Sequence, residues 1–254
     1  MNTLIICRKE LNTYFRSPIA YLVLGIFALL SGYFFYLFVY AFVRQGMMAA
    51  MQGQSFPMSV DEMVVRGVLQ NLSVICLFFL PMITMRLFAE EKRSGTIELL
   101  ITSPIRDVEI ILGKWLGAMV LYAAMLGLTL ISFLTLFAYG RPDWRPMAVG
   151  FLGLLMQGGC LLAIGTFIST CTKNQIVAGI AGFGVTLLLW VLSYWSDFDS
   201  SITSKVLNYI SVLSHMDTFS KGVLDLKDIV YYLSMTVLGL FLTARSLESI
   251  RWRA

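Results

Sequence analysis

Side chains that could carry chemistry are few in this sequence and poorly arranged for it. His215 is the only histidine, so neither an HExxH pair nor a two-histidine ligand set can form. The four cysteines, Cys7, Cys76, Cys160 and Cys171, lie far apart with no CxxC pair, which argues against a metal cluster or a disulfide framework. Gly113-Lys114 is followed by Trp115 and lacks the upstream glycine of a phosphate loop, so no P-loop is expected. His215 is expected to cap a helix or to hydrogen bond within a buried site. Chemistry would then rest on charge, and charge is concentrated in three places. These are Arg8, Lys9, Glu10 and Arg16 near the start, 86–114 in the middle, and 196–228 towards the end.

The elements that must position these groups are membrane spans. The chain has 254 residues, of which 58% are hydrophobic and 13% charged, with a mean hydropathy of +0.78. A soluble domain averages roughly 25% charged residues, and no soluble fold of this length hides so much apolar surface. Spanning helices need about 20 apolar residues. Six stretches qualify, at about 19–43, 68–85, 115–138, 147–170, 176–195 and 229–244. The expected fold class is therefore all-α, a polytopic integral membrane protein formed as one transmembrane domain over 1–254. Within those boundaries the spans contain no Asp, Glu, Lys, Arg or His. That weighs against an intramembrane enzyme, which needs a nucleophile with a base, or paired carboxylates, at membrane depth.

Orientation follows from the basic residues. With the N-terminus inside, the inner segments hold Arg8, Lys9, Arg16, Arg86, Lys92, Arg93, Arg106, Lys114, Lys173, Arg245, Arg251 and Arg253, twelve of the nineteen basic residues. The excess places both termini in the cytoplasm. A net charge of +4 is too modest for a nucleic-acid binder. The start lacks the short apolar run and cleavage site of a signal peptide and is read as mature sequence.

Three segments offer mechanism. Leu4, Cys7, Leu11 and Tyr14 recur at steps of three and four, which predicts an amphipathic helix in the inner headgroup layer, ended by Ser17-Pro18. It is either a plain anchor or a docking element. The inner loop 86–114 balances five basic against five acidic residues. Ser94-Gly95 marks a turn, and 96–102 can form two helical turns with Ile97, Leu100 and Ile101 on one side. Ser103-Pro104 reads as the start of a further helix running into Trp115. The loop is either a docking surface or a solvated connector. The outer segment 196–228, partly apolar and dotted with aspartates and lysines, is either a re-entrant gate or an interfacial loop. Small residues four apart in the fourth and fifth spans, such as Gly165/Ser169 and Ala178/Gly182, suggest packing within the chain. Gln157 is expected to hydrogen bond between helices. The aromatic run Tyr33–Phe42 reads as an interfacial belt or as a lining for an amphipathic substrate.

The string FAEEKRSGTIELLITSPIRDVEIILGKWLGA resembles the inner loop of ABC type-2 permeases, the membrane subunits of one class of ABC exporter. The pattern is an acidic pair, a basic residue, Gly-Thr, Glu-Leu-Leu, Ser-Pro and a later Gly-Lys. RKELNTYFRSP resembles the start of the same family. SHMDTFSKGVLDLKDIVYYLS and RSLESIRW resemble its gliding-motility-associated branch. The resemblance implies six transmembrane helices, an N-terminal amphipathic helix, a cytoplasmic coupling helix, and pairing as a homodimer or a heterodimer. It implies that a separate nucleotide-binding ATPase, which binds ATP and Mg, docks on the inner surface, so that this chain is not itself an enzyme. The docking residues would be Glu90, Glu91, Arg93, Gly95, Thr96, Ile97, Glu98, Leu100 and Ile101, with Arg8, Lys9, Glu10 and Tyr14 from the N-terminal helix. His215, Asp217 and Lys221 would belong to an outer gate. The expected setting is the bacterial cytoplasmic membrane, in contact with lipid, as part of an exporter. The alternative is a membrane anchor or force-transmitting subunit for a partner ATPase.

Overall fold

The computed structural model describes residues 2–53, 59–98, 105–139, 142–195 and 202–251. Among these the chain is helical, with no strand. An N-terminal helix α1 (Asn2–Arg16) leads into α2 (Pro18–Met51). A short π-helical turn (Asp61–Val65) opens α3 (Arg66–Thr84), and α4 (Ala89–Ser94) follows after one turn. Then come α5 (Asp107–Tyr139), α6 (Trp144–Cys171), α7 (Gln175–Trp195), the short α8 (Ile202–Ile210) and α9 (Val212–Ser220), and α10 (Leu226–Arg251). Among the described residues, six segments are long and apolar enough to cross a membrane: Pro18–Met51, Asp61–Ser94, Asp107–Ala138, Trp144–Cys171, Gln175–Ser193 and Leu226–Ser249.

Local chemistry sets the helix boundaries, which mostly lie beyond the apolar stretches. Ser17 ends α1 and its hydroxyl accepts the Ile19 amide at 3.3 Å, with Pro18 in the first turn of α2. α2 runs on past Val43 through Arg44 to Met51. At about 1.5 Å per residue it is far longer than the hydrocarbon core. Ser59 and Glu62 exchange hydrogen bonds with each other's amides at 3.2 and 3.3 Å, a capping box that starts the second span seven residues before Val68. α5 is one continuous helix from Asp107, with Glu109 reaching back to the Arg106 amide at 3.3 Å. The start expected at Ser103-Pro104 lies outside the described residues.

The spans form a core pair within a more exposed ring. The most apolar windows of the α3 and α6 spans are 72% and 61% buried, while those of the other four lie between 17% and 33%. Outward apolar residues such as Leu29, Ile131, Ile180 and Val237 are more than half exposed. α6 touches α3, α5, α7, α9 and α10. Its approach depends on glycine. A Cβ at Gly158 would fall inside the Tyr122 ring of α5, one at Gly150 on Leu69 of α3, and one at Gly165 on Thr84 of α3. A Cβ at Gly153 would lie 2.6 Å from the Phe219 side chain of α9. In hydrocarbon, where no hydrophobic force pulls helices together, such small-residue faces let packing and hydrogen bonds do so.

Buried polar groups on these faces are paired across helices. Gln157 accepts from the Ser73 hydroxyl at 2.7 Å and donates to the Ser73 carbonyl at 3.3 Å. Tyr122 donates to the Leu154 carbonyl at 2.8 Å. The Gly158→Ala substitution should therefore lower stability by about 1–3 kcal/mol. Thermal unfolding in detergent reads this, and an unchanged midpoint would show that α5 and α6 can separate freely.

Candidate docking and coupling site

One face of the bundle carries α1, α4 and the first turns of α5. α1 lies along α5 because the latter presents glycines there. A Cβ at Gly113 would sit 2.7 Å from Ile6, and one at Gly117 would sit 2.9 Å from Glu10. The face of α1 that packs is Ile6, Cys7, Glu10 and Tyr14. Leu4, expected on the buried stripe, is 70% exposed, and Ile5 and Phe15 face outward beside Arg8, Lys9 and Arg16. Tyr14 donates to the Ile83 carbonyl of α3 at 3.3 Å.

The centre of this face is Lys114. Its side chain is 2% exposed, and its Nζ lies 2.7 Å from Glu10 Oε1 and 2.8 Å from Glu91 Oε1. The Phe88 ring covers it at 5.2 Å. One ammonium thus joins α1, α4 and α5. Two carboxylates share one cation, and Glu91 Oε2 is buried without a hydrogen-bond partner among the described residues.

α4 is fixed at both ends. The amides of Phe88 and Ala89 donate to the Ser169 hydroxyl of α6, each at 3.1 Å, satisfying donors that a helix start leaves free. Lys92 donates to the Thr170 carbonyl, and Thr170 bonds Ser246 of α10 at 2.8 Å. Glu90 and Glu91 occupy the first turn and Lys92 and Arg93 the last, in keeping with the helix dipole. Gly95 ends the helix at φ 74°, a conformation that glycine adopts without strain.

Of the residues expected to dock a partner, Arg93, Gly95, Thr96 and Glu98 are exposed. Arg8 and Lys9 are exposed on α1. Glu90 pairs with Arg86 at 3.2 Å on the open side. Glu10, Glu91 and Tyr14 instead point into the bundle. Ile97 is 7% exposed, buried in the chain's own core, so it holds the loop down. Leu100 and Ile101 lie outside the described residues.

The three residues assigned to an outer gate separate into two clusters on opposite sides of α9. Asp217 faces α3, where it accepts from Arg66 and Gln70, each at 2.8 Å, and pairs with Lys221 at 2.5 Å. Partial burial opposes its ionisation, but hydrogen bonds from Lys221 and Arg66 outweigh that and hold the carboxyl below its usual range. His215 faces α10 and is buried against Asp228 at 2.6 Å. Sequence reasoning did not single out Lys114, Arg66 or Asp228 as site residues. A signal for Lys114 existed in Glu10, which shares a helix face with Cys7 and Tyr14 and so needs a buried cation.

A family model described as ABC-2 family transporter protein matches residues 4–244. No curated protein matches the chain.

Removing one partner of a buried ion pair strands the other charge, at a cost of about 3–5 kcal/mol. Lys114→Met should destabilise the protein by that order. Adding Glu10→Gln and Glu91→Gln to it should recover much of the loss. Thermal unfolding of the single and triple variants tests this, and a triple variant no more stable than Lys114→Met alone would refute a three-way charge lock.

Proposed function

The chain belongs to the ABC-2 family of transporter proteins, and from that premise we propose that it couples ATP hydrolysis in a separate subunit to export across the bacterial cytoplasmic membrane. The family match makes it a multi-pass ABC permease subunit, not itself catalytic, that works with an ATPase partner. The proposal adds the route by which the partner's motion enters. It enters through α4 and the exposed loop after it, with Arg93, Thr96 and Glu98 in contact and Arg8 and Lys9 of α1 flanking them.

The observation that carries this reading is the Lys114 lock. A docking element that merely anchored a partner needs no rigid attachment to the spans. α4 is tied by Glu91 to α5 and, through Lys114, to α1. It is also tied by Ser169 and Thr170 to α6. A push on α4 therefore displaces three helices together. The exposed charges of both signs set register and specificity with a partner more than affinity. ATP and Mg belong to that partner, and two permease chains, alike or related, form the path. The tail sequences support a place in the gliding-motility-associated branch. Spans uncharged between their ends suit lipid, glycan or hydrophobic-peptide cargo better than small ions, and they equally suit a subunit that transmits force and moves nothing.

Arg93→Glu and Glu98→Lys should each reduce stimulation of the partner ATPase several-fold and abolish export, with the protein still folded and inserted. Paired measurements of ATPase rate, export and pull-down read this. Normal coupling in both would move docking to α1, and lost stimulation without any exportable cargo would favour the force-transmitting reading.

Orientation has a simple reporter. Of the four cysteines only Cys171 is exposed, at the end of α6 beside the coupling face. A membrane-impermeant maleimide should label it in inverted vesicles and not in intact cells. Labelling in intact cells would reverse the topology.

A further inference from the structure

The opposite end of the bundle contains a polar cavity of about 280 Å³ where α8, α9 and the first turn of α10 meet. Its depth is fixed by α10. Lys227 and Asp228 lie in that helix's first turn. The far end of α10 reaches the coupling face, where Arg251 approaches Asp107 at 3.6 Å. The cavity therefore lies at the headgroup level of the other membrane face.

Its floor is a buried acid–base pair. His215 Nδ1 and Asp228 Oδ1 are 2.6 Å apart, with side chains 5% and 1% exposed. His215 Nε2 lies 2.9 Å from the Tyr209 carbonyl, which can only accept, so Nε2 carries a hydrogen. One proton then lies between Nδ1 and Oδ1, and the pair is neutral as a unit. The Tyr231 ring stacks on the imidazole at 3.9 Å and holds it in place. Asp228 Oδ2 has no hydrogen-bond partner among the described residues, although Asp228 lines the cavity. A buried carboxylate oxygen left unpaired is costly, and it calls for a donor.

The rim has the opposite character. Lys205 and Lys227 stand over the cavity with Asn208 and Thr218. Lys227 leans on Asp225 at 3.0 Å, while Lys205 makes no ion pair among the described residues. Asp225 balances Lys227, so among the described residues the rim keeps one uncompensated ammonium, that of Lys205. A spare cation over a neutral floor favours an anion, and the unpaired oxygen below favours a hydroxyl. An ammonium-bearing ligand would bring a further positive charge to a rim already cationic.

We propose that this cavity binds a hydroxyl-bearing phosphodiester headgroup. The phosphate meets Lys205 and Lys227, and a hydroxyl donates to Asp228 Oδ2. Occupancy joins α8 and α9 to the start of α10. The same chemistry is offered by a polyol phospholipid of the surrounding leaflet and by a free polyol phosphate.

The test uses the full chain in detergent, with binding followed by thermal shift. The probes are dihexanoyl phosphatidylglycerol and dihexanoyl phosphatidylcholine, which have matching tails and differ in the headgroup. Phosphatidylglycerol should bind at least tenfold more tightly. The double variant Lys205→Gln/Lys227→Gln, whose exposed side chains can be changed without disturbing packing, should lose that preference and keep the wild-type elution profile. Equal binding of the two lipids, or an undiminished preference in the double variant, overturns the proposal. Competition by glycerol 1-phosphate assigns the source. Displacement shows that the headgroup suffices, as for a free polyol phosphate, and no displacement shows that a membrane lipid is required.

Discussion

A single buried ammonium, that of Lys114, organises the face of the bundle that carries α1 and α4. Ion pairs away from water are sustained only when their geometry is good, because desolvation opposes them. Here one cation serves carboxylates from two other helices at 2.7 and 2.8 Å. Moving any one of α1, α4 or α5 alone would break a contact that the low-dielectric surroundings make hard to replace. The three elements are thereby held in a fixed arrangement that neither apolar packing nor surface charge would impose.

α6 extends that constraint across the membrane. At one end its Ser169 and Thr170 receive the amides of α4 and the amine of Lys92. At the other, Gly153 accepts the Phe219 ring of α9. Its 28 residues span about 42 Å at the helical rise, enough to join the two faces directly. Along its length the glycine contacts with Leu69, Tyr122 and Thr84 leave no room for the helix to slide without a clash. The glycine face thus makes α6 a stiff connection between the coupling face and the α8–α9 segment.

The two faces differ in how they use charge. On the face proposed for coupling, the Lys114 charge is buried and locked, while Arg93, Glu98, Arg8 and Lys9 are exposed. On the far face Asp217 is satisfied by Arg66, Gln70 and Lys221, whereas Asp228 keeps one oxygen unmet. Asp217 and His215, the partner of Asp228, lie two apart on α9, and helical positions two apart point to nearly opposite sides.

Length and hydropathy alone determined that this is a six-span helical membrane protein, since apolar runs of about 20 residues have no other stable setting. Local pattern also carried the amphipathic start, the turn at Gly95, the packing role of the small residues and the hydrogen bond of Gln157. Boundaries were less legible. Ser59 and Glu62, and Arg106 and Glu109, extend helices through polar residues that a hydropathy window excludes. The partners of Glu10 and His215, and the α3 partners of Asp217, were not legible, because each lies on a different helix and sequence separation does not encode which faces meet. Leu4 and Ile6 are equally apolar, yet only Ile6 is buried, because Gly113 of α5 leaves space opposite it. Only the tertiary structure could decide that a lysine at the mouth of one span is the counter-ion of two distant glutamates, for a charge chooses its partner by distance in space.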